Sequence, residues 1–113
     1  MDCLFCKIVE KKIPSQIVFE NEHVAAFRDI RPVAPTHILV IPRVHFASLD
    51  EATAAHRDVI GNTLLAAAEI ARAEGLAANG YRTVINTGVH AGQTVFHLHV
   101  HLLGGRDFVW PPG

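Results

Sequence analysis

The chain has 113 residues, of which 50% are hydrophobic and 19% are charged. That length fits a single domain, residues 1–113, with a hydrophobic core of its own. Its 10 Lys and Arg residues and 11 Asp and Glu residues leave a formal charge of -1, which gives no reason to expect binding to nucleic acid or to an acidic membrane.

The N-terminal segment, MDCLFCKIVEKK, lacks the basic lead, long apolar stretch and small-residue cleavage site of a signal peptide. No apolar run approaches the ~18 residues of a membrane span, so we expect a soluble cytoplasmic protein. Residues 3–11 are compatible with a short amphipathic helix that stops before Pro14. The apolar residues predicted to face inward are Leu4, Phe5, Ile8 and Val9.

Two cysteines, Cys3 and Cys6, form a C-x-x-C pair. A structural disulfide is unfavourable in a reducing compartment, which leaves a metal site, a redox pair or coincidence. A thioredoxin-type pair follows a strand in a βαβ unit, whereas this pair lies at the start of the chain. The redox interpretation is therefore disfavoured.

The next segments predict strands and then a helix. IVFENEHVAAF indicates a hairpin, because two β-prone runs flank a polar turn, and residues 37–41 predict a strand that ends at Pro42. Ser48-Leu-Asp-Glu51 has the pattern of a capping box, so a long helix is expected to follow it and to end at Gly75 in the left-handed conformation. Its predicted buried stripe consists of Val59, Ile60, Leu64, Ala67, Ala68 and Ala71.

Two further strands are predicted at residues 80–86 and 95–103, joined by the glycine-containing loop TGVHAGQ. The tail GGRDFVWPPG is too rich in glycine and proline for regular structure. Strands interrupted by one long helix indicate an α+β fold with a mainly antiparallel sheet.

The run VFHLHVHLL carries the chemistry, because it places an imidazole at every second position. Side chains alternate faces along a strand, so His97, His99 and His101 would share one face. The opposite, buried face would carry Phe96, Leu98, Val100 and Leu102. A polar sheet face, a metal site and nucleophilic catalysis could each use three imidazoles, but same-strand imidazoles converge poorly on one metal. Catalysis by one imidazole with help from its neighbours suits the spacing better.

The loop before this run suggests that the reactant is an anion. Glycines in Thr87–Thr94 allow backbone N–H groups to approach a ligand, and the Gln93 and Thr94 side chains can donate to phosphate oxygens. Glycine-rich loops are common in hairpins, so this loop indicates an anion site only because it leads directly to His97.

These residues also carry a family resemblance. HLHVHLL matches the His-x-His-x-His-x-x motif of the histidine-triad (HIT) nucleotide-binding proteins, and AFRDI, APTHILVIP, GQTVFHLHVH and LGGRDFVWPPG resemble the HINT branch. The resemblance covers nearly the whole chain. It implies a HIT-like fold, with a five-stranded mainly antiparallel sheet, one long helix and a short N-terminal helix, and it implies a homodimer. The implied activity is hydrolysis of nucleoside 5′-phosphoramidates, adenosine phosphoramidates being the usual HINT substrates.

Position by position, the resemblance implies roles for the triad. His99 would be the nucleophile that forms a covalent nucleotidyl-imidazole intermediate, and His101 would contact the α-phosphate. His97 completes the triad, and Thr94 and Gln93 would lie beside the phosphate. Neutral imidazole is a good nucleophile at pH 7, and its phosphorylated cation is a good leaving group.

Further positions would bind the nucleotide. Asp29 would accept both ribose hydroxyls, although from the residues alone it could equally be a turn residue, and Asn86 would face the 5′ side. The apolar slot for the base would consist of Phe5, Ile8, Phe27 and Ile30. His37 corresponds to a family histidine near the triad, without an assigned role.

Bacterial HIT proteins and the related galactose-1-phosphate uridylyltransferases combine a C-x-x-C pair with a structural zinc. By this resemblance the ligands here would be Cys3, Cys6, His45 and His97, a closed tetrahedral Cys2His2 set. The alternative is two buried cysteines and two unrelated histidines. His23, His56 and His90 are expected to be solvated. Trp110 would reach the partner subunit's active site, unless it packs on its own core.

Three other functions stay open from the sequence. They are hydrolysis of dinucleoside polyphosphates as in the Fhit branch, nucleotidyl transfer or phosphorolysis, and non-catalytic nucleotide binding. The WPPG ending and GQTVFHLHVH favour the phosphoramidate hydrolase over the Fhit branch, and the intact triad favours an enzyme.

Overall fold

The computed structural model describes residues 2–113. Its two helices and five strands are α1 (Leu4–Val9), β1 (Ile17–Glu20), β2 (Val24–Arg28), β3 (Thr36–Pro42), α2 (Arg57–Ala73), β4 (Arg82–Val84) and β5 (Val100–Gly104). Three short 3-10 turns lie at Leu49–Glu51, Ala54–His56 and Val89–Ala91. Along the part of the chain described, no helix combines the length and apolar character needed to cross a bilayer.

The five strands form one sheet in the order β1-β2-β3-β5-β4, and every neighbouring pair is antiparallel. This confirms the predicted α+β fold with one long helix and a short N-terminal helix. The predicted hairpin is also confirmed, and its turn is fixed by Asn21. The Oδ1 atom of Asn21 accepts the N–H groups of His23 and Val24, each at 2.8 Å.

The two faces of the sheet bury different clusters. One face packs against α2 through Val24, Ala26, Ile38, Val40, Val100 and Leu102, together with Ala66, Ala67, Ile70 and Ala71 of the helix and Leu76. The other face packs against α1 through Ala25, Phe27, Leu39 and Ile41, together with Cys3, Phe5 and Ile8. The second face therefore joins the N-terminal cysteines to the sheet.

The short helix α1 buries fewer residues than its pattern predicts. Phe5 and Ile8 are buried as expected, and Val9 packs against the same cluster. Leu4 is instead 47% exposed, because a six-residue helix offers only a narrow inward stripe. The prediction that Leu4 faces inward was wrong.

The long helix begins later than predicted. Ser48 caps only the 3-10 turn Leu49–Glu51, and the Glu51 carboxylate accepts the N–H of Ala47 at 2.9 Å rather than that of Ser48. A second capped turn at Thr53 then leads into α2 at Arg57. The predicted capping box therefore does not start the long helix.

The buried stripe of α2 is displaced from the predicted one. Its buried residues are Thr63, Ala66, Ala67, Ile70 and Ala71, whereas Leu64 is 40% exposed and Leu65 is 71% exposed. The prediction for Leu64 was wrong, because small residues allow the helix to lie close to the sheet on the alanine side. The predicted end is confirmed: Gly75 has φ +78°, and the N–H of Leu76 donates to the Ala71 carbonyl.

The last strand is shorter than predicted, and so is β4. Regular pairing in β5 covers only Val100–Gly104, so His97 and His99 lie outside the strand. The Leu98 N–H donates to the carbonyl of Phe46 at 2.8 Å, which anchors the preceding segment. Val100 and Leu102 face the α2 cluster as predicted, but Phe96 is 47% exposed.

Candidate active site and metal centre

Four side chains from distant parts of the chain bring their ligand atoms together at the N-terminus of α1. They are the predicted metal ligands Cys3, Cys6, His45 and His97, and their Sγ and ring nitrogen atoms all lie within 4.8 Å of one another. His97 Nδ1 lies 3.5 Å from Cys3 Sγ, 3.6 Å from Cys6 Sγ and 3.1 Å from His45 Nδ1. Cys6 Sγ lies 3.5 Å from His45 Nδ1.

The sulfur–nitrogen separations of 3.5 and 3.6 Å fit a tetrahedral zinc ion, and the 3.1 Å between the two Nδ1 atoms is slightly shorter than a zinc ion between them would require. Zinc–sulfur bonds of about 2.3 Å and zinc–nitrogen bonds of about 2.0 Å place tetrahedral ligands roughly 3.3 to 3.8 Å apart. The ring of His97 is also oriented for ligation, because its Nε2 lies 2.9 Å from the Pro42 carbonyl oxygen. A carbonyl only accepts, so Nε2 carries the proton and Nδ1 presents its lone pair to the metal. The four predicted ligands therefore fit a zinc ion.

The N-terminus of α1 contributes to the thiol environment. Cys3 is the N-cap residue, and its Sγ accepts the backbone N–H of Cys6 at 3.4 Å. In the absence of a metal, burial and then the neighbouring Cys3 raise the pKa of the Cys6 thiol to about 11. Thiolate ligation must therefore displace a proton, and metal binding is expected to release protons at neutral pH.

The His99 imidazole is oriented by a backbone group of the metal centre. Its Nδ1 lies 2.7 Å from the carbonyl oxygen of His97. Since that oxygen can only accept, Nδ1 carries the proton and Nε2 carries the lone pair. The ring of Phe5 packs edge-on against the His99 ring with centroids 5.1 Å apart. Burial lowers the pKa of His99, with the hydrogen bond to His97 acting in the opposite direction, so a neutral imidazole is favoured.

The second imidazole of the site is that of His101 on β5, and it packs beside the His99 ring, which precedes the strand. The two ring centroids are 5.0 Å apart. His101 Nδ1 lies 2.9 Å from Nε2 of His37, which β3 places on the same face of the sheet. Burial, with smaller contributions from His99 and His37, lowers the pKa of His101 to about 4. His101 is therefore uncharged at neutral pH.

Asp29 follows β2 and lies beside this histidine pair. Its Oδ1 accepts the N–H of Arg31 at 2.8 Å, as a turn residue does, and its Oδ2 lies 3.4 Å from His37 Nε2. The carboxylate therefore stabilises a turn and also faces the triad. The two interpretations of Asp29 from the sequence are compatible.

The polar groups of the glycine loop before the triad make hydrogen bonds within the loop and to neighbouring backbone carbonyls. The N–H groups of Ala91 and Gln93 donate to the Gly88 carbonyl, and the N–H of Gly92 donates to Val89. The Gln93 side chain is 4% exposed; its amide donates to the Ala47 and Val95 carbonyls, and its Oε1 accepts the Gly88 N–H. In this conformation Gln93 has no amide hydrogen left for a phosphate oxygen, so it holds the loop in shape instead.

The other predicted nucleotide contacts differ in exposure. Thr94 is exposed and lines a cavity of about 400 Å³ together with Leu4 and Phe96, and Asn86 is half-buried. Of the predicted base slot, Phe5, Ile8 and Phe27 are buried in the α1 cluster, whereas Ile30 is 90% exposed. Within that cluster, the Phe5 ring packs edge-on against the rings of Phe27, His97 and His99, so the cluster borders the triad.

The remaining histidines and the tail are placed as follows. His23 and His90 are exposed as predicted. His56 is half-buried, stacks on Phe46 with centroids 4.4 Å apart, and accepts the Thr53 N–H at 3.0 Å. The prediction that His56 is solvated was therefore wrong. Trp110 is 83% exposed, so it does not pack on its own core.

Sequence reasoning missed the backbone groups that orient the rings. The carbonyls of Pro42 and His97 and the N–H of Val33, which lies 3.1 Å from His37 Nδ1, each set a tautomer. No side-chain pattern reports such groups, since every residue has them. Only Pro42, which interrupts the ladder of hydrogen bonds at the end of β3, offers a weak signal.

The comparison with protein families gives one match that spans most of the chain. A family model described as the HIT domain matches residues 10–108. Among curated proteins, the chain is 48% identical over 105 residues to a purine nucleoside phosphoramidase of Escherichia coli strain K12, an alignment that covers 93% of this chain and 88% of that one. It is 52% identical over 112 residues to a 14 kDa zinc-binding protein of Zea mays, covering 97% and 87%.

A solved structure shares the whole fold. The structure of a HIT family hydrolase from Legionella pneumophila Philadelphia 1 superposes with a TM-score of 0.97 at 49% sequence identity. The match covers 99% of this chain and 100% of the other. This agreement confirms the predicted HIT-like fold, with its five-stranded antiparallel sheet, one long helix and a short N-terminal helix.

Proposed function

This chain belongs to the HIT family of hydrolases, and from that premise we propose that it hydrolyses nucleoside 5′-phosphoramidates through a covalent nucleotidyl-histidine intermediate. The observation that carries the proposal is the hydrogen bond from His99 Nδ1 to the His97 carbonyl. It leaves the Nε2 lone pair of a neutral imidazole as the available nucleophile. The similarity to a relative named purine nucleoside phosphoramidase supports the choice of substrate.

The reaction has two displacements at phosphorus. His99 Nε2 attacks the α-phosphorus, a phosphorus–nitrogen bond forms, and the bond to the leaving amine breaks as the amine takes up a proton from solvent. Water then attacks the same phosphorus and gives up a proton to solvent, the bond to His99 breaks with its electron pair returning to Nε2, and the nucleoside monophosphate leaves. The Nδ1 proton stays on the ring, so the intermediate is cationic and a good leaving group.

The neighbouring groups bind the nucleotide and stabilise charge. His101 and the Thr94 hydroxyl donate to the phosphoryl oxygens as negative charge accumulates. Asp29 accepts the ribose hydroxyls, and Asn86 contacts the 5′ side. Ile30 covers the base over the wall formed by Phe5, Ile8 and Phe27. Gln93 contributes by shaping the loop that presents Thr94.

The metal centre is a structural zinc site. Cys3, Cys6, His45 and His97 hold the ion, and a closed set of four protein ligands leaves no position for water or substrate. When bound, zinc supplies folding energy by linking α1 to the segment before β5. The similarity to a relative named as a zinc-binding protein supports this assignment.

The proposed assembly is a cytoplasmic homodimer of single-domain subunits that span residues 1–113. The surface offers unpaired apolar groups for an interface, namely Leu64, Leu65, Val109 and Trp110, which are 40%, 71%, 75% and 83% exposed. β4 also forms an edge of the sheet, and an unpaired edge favours association. Trp110 would then reach the partner subunit's active site.

A substrate comparison tests the proposed function. Steady-state kcat/KM is measured for two substrates, an adenosine phosphoramidate and a dinucleoside polyphosphate. The phosphoramidate reaction is then repeated with inorganic phosphate or a second amine added as an acceptor that competes with water. We expect the phosphoramidate with water to be preferred. Faster turnover of the polyphosphate, or transfer to the added acceptor in place of water, would identify one of the alternative activities, and binding without turnover would identify a nucleotide-binding module.

A further inference from the structure

His37 is buried and makes a hydrogen bond at each ring nitrogen. Its Nδ1 lies 3.1 Å from the backbone nitrogen of Val33, and its Nε2 lies 2.9 Å from His101 Nδ1. The backbone N–H of Val33 can only donate, so His37 Nδ1 must accept. The proton of the neutral His37 ring is therefore on Nε2, where it points at His101.

The same logic continues to the next ring. Because His37 Nε2–H donates, His101 Nδ1 must accept, and the proton of neutral His101 is on its Nε2. A backbone amide thus sets the tautomers of two imidazoles in succession. At the end of this series of hydrogen bonds, the Nε2–H of His101 is a donor on the side of the site where the His99 ring lies. A hydrogen-bond donor fixed in this way is suited to the charge that develops on a phosphoryl oxygen.

Two other interpretations of this cluster fit less well. Asp29 Oδ2 lies 3.4 Å from His37 Nε2, which is farther than His101 Nδ1 at 2.9 Å, and a doubly protonated His37 would set its Nδ1–H against the Val33 N–H. Asp29, His37 and His101 also bring ligand atoms within 4.8 Å of one another. A metal ion at this position would need a free lone pair on His37 Nε2. That atom carries the ring proton, because Nδ1 accepts the Val33 N–H.

We propose that His37 is a positioning residue, which holds His101 in the Nε2–H tautomer so that His101 donates a hydrogen bond to the phosphoryl group. In the proposed mechanism His37 touches no substrate atom and acts through His101 alone. The expected effect of His37 on kcat rests on the proposed function, phosphoramidate hydrolysis. Its structural content, the tautomer of His101, does not depend on any substrate.

The variants compare a donor with an apolar side chain of similar size. Gln at position 37 can accept from Val33 and donate to His101, whereas Leu can do neither. We expect His37→Leu to lower kcat by roughly 10- to 100-fold, the scale for losing one oriented donor, with KM for the phosphoramidate nearly unchanged. His37→Gln should restore most of kcat. His23→Gln, at an exposed histidine in the hairpin turn, is the matched control and should match the wild type.

Nitrogen-15 NMR of the imidazole rings gives a readout that a merely structural role would not affect. In the wild type, His101 should show a protonated Nε2 and an unprotonated Nδ1, and His37→Leu should give a mixture of His101 tautomers. A wild-type His101 protonated at Nδ1 would overturn the proposal, even if His37→Leu fails to fold. Wild-type kcat in His37→Leu, or no rescue by His37→Gln in a folded protein, would overturn it as well. If the wild type does not cleave phosphoramidates, the proposed function fails while the NMR result still decides the tautomer.

Discussion

The backbone carbonyl of His97 accepts the Nδ1–H of His99 at 2.7 Å, while the His97 ring faces the two N-terminal thiols. One residue therefore belongs to both proposed centres: its side chain is one of the four proposed zinc ligands, and its main chain orients the proposed nucleophile. Any movement of His97 changes the direction of the His99 lone pair. Metal binding and catalysis should accordingly be coupled, although four protein ligands would leave the proposed zinc no open position for substrate.

The first prediction concerns zinc. Elemental analysis should find about one zinc per chain in protein purified without chelator. Cys3→Ser should lose metal, and the melting temperature should fall by roughly 10 °C or more, since a structural zinc contributes several kcal/mol and each kcal/mol shifts a small domain by about 4–8 °C. The kcat should fall in parallel, because His97 is no longer held in place.

The control for this experiment is His23→Gln, which removes an exposed imidazole that is not part of the metal set. It should retain both zinc and stability. A wild-type protein that contains no zinc, and whose melting does not respond to chelation, would rule out the site.

The second prediction concerns Asp29. Asp29→Asn retains an oxygen for the N–H of Arg31, so the turn should persist while the carboxylate is lost. Hydrogen bonds to a charged group contribute about 1.5–3 kcal/mol, so KM for a ribonucleoside phosphoramidate should rise about 10- to 100-fold. The increase should vanish for a 2′,3′-dideoxy substrate, and the exposed Asp58→Asn serves as control. An equal increase for both sugars would show that Asp29 does not bind the ribose.

The third prediction concerns stability and pH. The folded pKa of His101 is about 4, below its ordinary value of 6.5. Below pH 6.5 the His101 side chain binds a proton in the unfolded chain, whereas in the folded protein it binds one only near pH 4. The free energy of unfolding should therefore fall as the pH drops from 6.5 to about 4. In His101→Gln the fall should be shallower, because one such group is gone. Chemical denaturation at several pH values measures both slopes, and identical slopes would contradict the assigned pKa direction.

The fourth prediction concerns assembly. Light scattering at micromolar concentration should give the mass of a dimer. Leu65→Glu should shift the protein toward a monomer, because it places a charge in the proposed apolar interface on α2. Val44→Glu changes an apolar residue that is also more than half exposed, between β3 and α2, and should leave the dimer intact. A monomeric wild type would refute the proposed homodimer.

The sequence predicted the sheet, the order of the elements along the chain and the four side chains that meet at the candidate metal centre. These features follow from apolar periodicity and from motifs that cover almost the whole chain. Where α2 starts was not predictable, because the decisive cap at Thr53 uses His56 in place of the usual Glu. From the sequence alone, a histidine at position 56 is as compatible with a solvent-exposed side chain as with a capping role.

The triad itself shows the limit of a pattern-based argument. Alternation correctly separated His101 from Val100 and Leu102, but it could not reveal that β5 begins only at Val100. The hydrogen bonds of Leu98 to Phe46 and of His99 to His97 replace strand pairing there. The internal hydrogen bonds of Gln93 were not predictable for a related reason, since the partners of its amide are carbonyls that the sequence does not distinguish from any others.

The central claim is that His99 is the nucleophile, and trapping the intermediate tests it most directly. Wild-type protein is mixed with an adenosine phosphoramidate, quenched in a single turnover, digested and mapped by mass spectrometry. We predict a nucleotidyl adduct on His99, and we predict that His99→Ala forms none and loses turnover while still binding nucleotide, because binding rests on Asp29, Thr94 and the base site. An adduct on His97 or His101, or full activity in the His99→Ala variant, would contradict the account.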